Sequence, residues 1–135
     1  MKTVTIIGFN GALASAITGM IDLFRLAGVT WARIHGEQPT AWFRTRLLTE
    51  DGEPCRCING VTLLADGSWQ DIDELGADDL LIIPTIGAPI DEVLQTNPLL
   101  IQWLSKFQTA TPGDVRVASN CTGAFLLAAA GLLDG

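Results

Sequence analysis

The chain has 135 residues, 48% hydrophobic and 17% charged, enough to bury a core of its own and unlike the composition of a disordered segment. Its formal net charge is -7 and its eight Lys and Arg are scattered, so it lacks the clustered cations that grip nucleic-acid phosphates. Three cysteines, an odd number, do not make the disulfide framework of a small secreted domain and fit a reducing cytoplasm.

Lys2, the apolar run at residues 4–9 and the triplet at 12–14 imitate a secretory leader, but Gly8, Asn10 and Gly11 interrupt the apolar region too early. The longest apolar run, residues 124–133, is about half the ~20 residues needed to span a bilayer. No membrane association is expected. Residues 3–9 (TVTIIGF) are β-branched and apolar on both faces, as in a central strand of a parallel sheet. After the Asn10-Gly11 turn, apolar residues recur at helical spacing to about residue 34, predicting one long helix that stops at Gly36. Residues 42–48 read as a strand. Residues 54–58 and 61–65, joined by Asn59-Gly60, read as a small β-hairpin. Residues 80–83 (LLII) form a second central strand, followed by the loop at 84–89. Helices are predicted at 91–94 and 98–107, a strand at 115–118, and a last helix over 122–130.

Strands alternating with helices imply right-handed crossovers and a mostly parallel sheet of order 2-1-3-4. The predicted fold class is α/β, a flavodoxin-like three-layer αβα sandwich with the added hairpin. The order reverses between the first strand and residues 80–83. Ligands bind at the carboxyl ends of strands at such a point, so the loops holding Asn10, Gly11, Thr85, Ile86, Gly87, Asn120, Cys121 and Thr122 should line one pocket. The segment 115–125 (VRVASNCTGAF) carries the chemistry: a strand runs straight into a helix with Cys121 at the corner. Ser119 and Gly123 are small, as a nucleophile elbow requires where its backbones cross. The helix that begins there aims its N-terminus at the sulfur. The plainer reading of Cys121 is a small buried apolar residue.

The string ASNCTGAFLLAAAGLLDG at 118–135 resembles the elbow and helix of ThiJ/PfpI domains, with the class I glutamine amidotransferase-like fold, found at the N-terminus of GlxA-like regulators of the AraC family. GMIDLFRLAG at 19–28, TEDGEPCRCINGVTLLADGSW at 49–69 and ADDLLIIP at 77–84 resemble the same subfamily in the same order. The resemblance implies a domain over 1–135 that continues for several further elements, then a helix-turn-helix domain that alone contacts DNA, and a homodimer. Superfamily enzymes place a carboxylate in the first helix beside the cysteine; the resemblance puts Ala16 there. It also puts Pro84-Thr85-Ile86-Gly87 where relatives carry a Pro-Gly-Gly type loop whose amides form an oxyanion hole.

The single histidine, His35, falls at the end of the first helix and reads as a solvated cap, not a general base. Cys55 and Cys57 share a strand face but have no second ligand pair, so no metal is expected, and ordinary hairpin side chains are the preferred reading. Gly8 and Gly11 lack the full dinucleotide fingerprint, and no cofactor is expected. Asp22 reads as a surface or partner-facing charge; Trp31, Trp42, Trp69 and Trp103 read as core or interface anchors. Two functions follow. The first is a ligand-sensing regulatory domain that binds a small-molecule effector around Cys121; the second is a cysteine-dependent amidase, hydratase or glyoxalase-like enzyme.

Overall fold

The computed structural model describes residues 1–72, 75–108 and 113–134. Strand β1 (Lys2–Ile7) is central because it can afford no exposed face: Val4, Thr5, Ile6 and Ile7 are all fully buried, so side chains on both sides of the pleat need cover. It pairs in parallel with β2 (Phe43–Thr49) on one side and, on the other, with the fifth further strand in the chain, β6 (Asp79–Ile83). The small antiparallel pair β3 (Cys55–Arg56) and β4 (Thr62–Leu63) and the two-residue strand β5 (Gly67–Ser68) lie between them in sequence. With β7 (Arg116–Ser119) on the far edge of β6, the five-stranded sheet runs β5-β2-β1-β6-β7, parallel throughout. The expected 2-1-3-4 order is present, with β5 added as an outer strand that the sequence reading did not resolve.

Helix α1 (Ala14–Leu26) packs against β2 and carries the chain from β1. Helices α3 (Ile90–Thr96) and α4 (Pro98–Ser105) carry it from β6 to β7 in the opposite direction along the sheet. Right-handed crossovers therefore put them on the other face, where α5 (Ala124–Ala129) joins both. These are the three layers. Polar groups buried between them are paired: Arg25 on α1 donates through Nε to Thr45 Oγ1 (2.6 Å) and Arg46 donates to Thr5 Oγ1 (2.7 Å). No helix among the described residues is long and apolar enough to cross a membrane.

Two expectations need correcting. The long first helix is two, α1 and the short α2 (Thr30–Ile34), because Gly28 takes a left-handed φ of +78° and the Trp42 ring and Thr40 carbonyl fill the place of a side chain. Apolar spacing continues across the break, so periodicity alone does not see it. The last helix does not start cleanly at Thr122; a 3₁₀ turn over Cys121–Gly123 precedes α5. The hairpin stands at Asn59-Gly60, both with positive φ as a tight primed turn demands, though its strands are only two residues each. Gly36 does follow the end of α2 with φ +69°.

Candidate functional site

At the carboxyl ends of β1, β6 and β7, three loops are bound into one unit. After β1, Gly11 takes φ +93°, and its carbonyl accepts from Gly87 N (2.8 Å) and Ala88 N (3.0 Å) in the loop after β6. Ala12 and Ile86 form an isolated bridge, and Leu13 N donates to Thr85 O (3.0 Å). After β7, Asn120 N donates back to Ile83 O (2.8 Å), while Thr85 Oγ1 donates to Asn120 Oδ1 (2.7 Å). Thr122 Oγ1 accepts from Ile86 N (3.0 Å) and donates to Ile86 O (3.1 Å). The eight residues singled out from sequence thus come from three loops that meet.

Cys121 stands at the corner. Its φ is +49°, a conformation that a residue with a Cβ adopts at a cost of ~1–2 kcal/mol, and it is exposed. The small neighbour is required: a Cβ on Gly123 would lie 2.5 Å from both Ile83 O and Pro84 O, so the turn passes directly over the end of β6.

The loop chemistry differs from a ready oxyanion hole. The Ile86 and Gly87 amides are both engaged within the protein, by Thr122 Oγ1 and by Gly11 O, and the Ile86 side chain is buried in the core. Those two donors are not directed at a reacting carbonyl next to Cys121. Ala16, where the resemblance expects the family carboxylate, is half-buried on α1. His35 caps α2, with Nδ1 2.9 Å from Trp31 O and its ring stacked on Trp31 at 3.8 Å, on an exposed surface.

Beside the elbow unit, a cleft of about 980 Å³ opens between the ends of β1 and β2, the β3-β4 hairpin and the α3-α4 junction. Phe9, Trp69 and Leu100 contribute apolar surface, and Glu50, Glu53, Arg56 and Asn97 contribute polar groups. Of the sequence-predicted residues only Asn10 lines it; its Oδ1 accepts from Arg56 N (2.9 Å), and Gly11 N donates to Arg56 O (2.9 Å). Sequence reasoning missed this side of the site because it left out the loop after β2. The strand-end rule that selected the other loops would have included it, since β2 lies directly beside β1.

Cys55 and Cys57 face the interior with their Sγ atoms 3.9 Å apart. Burial pushes the Cys57 thiol up to about 12, and Cys55 beside it adds to the effect, so Cys57 is held protonated. No group of three or more metal-ligating side chains occurs among the described residues. Trp69 is in the core, tilted against Trp103 at 4.9 Å, whereas Trp31 and Trp42 are 67% and 61% exposed.

Residues 2–135 match the model of the DJ-1/PfpI family. The chain is 34% identical over 93 residues, 69% of its length, to the HTH-type transcriptional regulator CdhR of Pseudomonas aeruginosa, of which it covers 25%. Among solved structures it resembles an AraC family transcriptional regulator from Pseudomonas putida, with TM-score 0.67, 20% identity, and coverage of 99% of this chain and 63% of that one. It also resembles a cysteine-to-alanine variant of a DJ-1 superfamily protein from Salmonella typhimurium, with TM-score 0.62, 19% identity, and coverage of 100% and 64%. The chain therefore spans a quarter of the curated regulator and under two thirds of each of these structures.

Proposed function

Because the chain belongs to the DJ-1/PfpI family, we propose that it is the effector-sensing domain of an AraC-type transcriptional regulator, binding a small metabolite where the elbow meets the strand-end cleft. The observation that carries this reading is the spending of the Ile86 and Gly87 amides on internal hydrogen bonds around an exposed, strained Cys121. An acyl-transfer enzyme needs such donors free for developing negative charge, and a general acid or base contributes ~10²–10⁴-fold; the position at which the resemblance expects the family carboxylate holds Ala16 instead. A sensor needs something else, a site whose loops are coupled so that occupancy favours one arrangement over another. The hydrogen bonds from Arg56 to Asn10-Gly11, then to Gly87, and from Thr85 and Ile86 to Asn120 and Thr122 supply that coupling from cleft to elbow. Contact with DNA belongs, in this reading, to a separate domain of the whole protein.

The second reading, a cysteine-dependent hydrolase, hydratase or glyoxalase-like enzyme, rests on the elbow geometry of Cys121 itself. One pair of measurements separates the two. Thermal-shift screening of a metabolite panel should give saturable stabilisation by a small molecule that is weakened by Asn10→Ala or Thr85→Ala. Turnover of amide, ester or 2-oxoaldehyde substrates should be negligible. Robust turnover abolished by Cys121→Ala would overturn the sensor reading in favour of the enzyme.

A further inference from the structure

Cys55 and Cys57 are nucleophilic groups for which the elbow chemistry has no use, and the fold sets them where a reaction between them would be felt. Cys55 is in β3 and Cys57 follows in extended backbone with φ -76° and ψ 171°, so both side chains leave the chain on one side while Arg56 between them is exposed. Their Sγ atoms stand 3.9 Å apart in the interior. The Cys55 sulfur lies just beyond the end of β1, where Gly8 leaves it room: a Cβ on Gly8 would be 3.1 Å from it. Cys55 also lines the cleft.

What joins the two cysteines is Arg56, and its backbone holds the elbow loops. Arg56 N donates to Asn10 Oδ1 and its carbonyl accepts from Gly11 N, both at 2.9 Å. The Gly11 carbonyl in turn accepts from Gly87 N and Ala88 N. A disulfide has an S–S bond of about 2.05 Å, so the sulfurs must approach by about 1.9 Å to form one. Two residues along a strand set their Cα atoms about 6.6 Å apart, at the upper end of the ~4.4–6.8 Å that a disulfide bridges. Closure therefore draws 55–57 together and buckles Arg56 away from its partners. Strands β3 and β4, of two residues each, offer little to resist this.

We propose that Cys55 and Cys57 form a reversible dithiol–disulfide site, oxidised by a small hydroperoxide, whose closure loosens the grip of Arg56 on the Asn10-Gly11 turn. In the first step the Cys55 sulfur attacks one peroxide oxygen, the O–O bond breaks, and the thiol proton leaves with the other oxygen as water or an alcohol. In the second the Cys57 sulfur attacks the resulting Cys55 sulfenic acid, the S–O bond breaks, and hydroxide leaves as water with the Cys57 proton. Two electrons pass from the two sulfurs to the peroxide. Hydrogen peroxide is hardly larger than water and meets Cys55 from the cleft, whereas bulkier thiol reagents stop at the exposed Cys121. A ring closed over one intervening residue is strained, and strained disulfides are readily reduced, which makes the step reversible. Any effect on effector binding rests on the sensor reading; the oxidation and the loosened turn do not.

The test uses the whole chain with Cys121→Ser, so that Cys55 and Cys57 are its remaining thiols. Treatment with hydrogen peroxide should remove two hydrogens in intact-mass spectrometry, with peptide mapping linking Cys55 to Cys57, and a dithiol reductant should restore them. In the oxidised form the amides of Gly11, Gly87 and Ala88 should exchange with deuterium at least about ten-fold faster, while those of the buried strand β1 stay as they were. The same chain with Cys57→Ala should form no intramolecular disulfide and show no such change. A pair that stays reduced, or is carried to sulfinic acid without a disulfide, would overturn the proposal. So would a disulfide that leaves exchange at Gly11, Gly87 and Ala88 unchanged, or faster exchange that persists in the Cys57→Ala chain. None of these readouts involves an effector, so their outcome is separate from that of the sensor reading.

Discussion

The Thr122 side chain holds both backbone polar groups of Ile86, accepting from its N-H at 3.0 Å and lying 3.1 Å from its carbonyl oxygen. One hydroxyl thus ties the loop after β6 to the first turn after the elbow. Ile86 is buried, so an amide robbed of this partner is left without water to replace it. Thr122→Val, which keeps shape and removes the hydroxyl, should cost about 1–3 kcal/mol in urea unfolding, while Thr122→Ser should stay close to the parent. Equal stabilities of the valine and serine variants would mean that this bond does not hold the loops together.

Strain at the elbow can be measured directly. With φ +49° at Cys121, a glycine there escapes the clash between Cβ and the backbone that alanine keeps. Cys121→Gly should match or exceed Cys121→Ala in stability, by up to about 1 kcal/mol, against the usual order for these residues. An alanine variant clearly more stable than the glycine variant would count against a strained corner.

Gly123 makes the opposite case, since what forbids a side chain there is the backbone of Ile83 and Pro84. Backbone cannot swing aside as a flexible side chain does. Gly123→Ala should therefore lower the melting temperature sharply, whereas Gly76→Ala, where an added Cβ would meet no atom within 4 Å, should change it little. Similar behaviour of the two variants would dissolve the argument that the elbow crosses tightly over β6.

The parts of this fold that were legible in the sequence are those where one local rule suffices. Residues 3–9 and 80–83 announce buried strands because both faces are apolar, and they are β1 and β6 at the centre of the sheet. Asn59-Gly60 announces its turn by residue type, and the small-Cys-small spacing at 119–123 announces the corner at Cys121. What stayed hidden depends on distant partners. Gly28 breaks the helix because Trp42 and Thr40, over ten residues on, occupy its open side, and the Gly67–Ser68 strand exists only because β2 offers an edge. The engagement of the Ile86 and Gly87 amides was also invisible, since Thr122 and Gly11 reach them only through the meeting of three loops. The cleft escaped for a similar reason: its walls come from β1, β2, the hairpin and α3-α4 together.

The cysteines should divide by burial and by pH. Cys121 is exposed, while Cys55 and Cys57 are buried together at 3.9 Å, so the native protein should react with a thiol reagent at one site quickly and at three only after unfolding. The buried pair also predicts how stability changes in alkali. Cys57 has an ordinary value of 9.0 and is pushed up to about 12 by desolvation first and by Cys55 second. Between those values the folded chain keeps a proton that the unfolded chain has lost. Stability must then fall as the pH rises from about 9 towards 12, and this contribution is fully present only below 9. The comparison that isolates the effect is with Cys57→Ala. The parent should lose more stability than the variant between pH 8.5 and 10.5 in denaturant titrations, values chosen to straddle the ordinary thiol range of about 8.5–9. Parallel pH profiles for the two proteins would show that Cys57 is not held as a protonated thiol in the core.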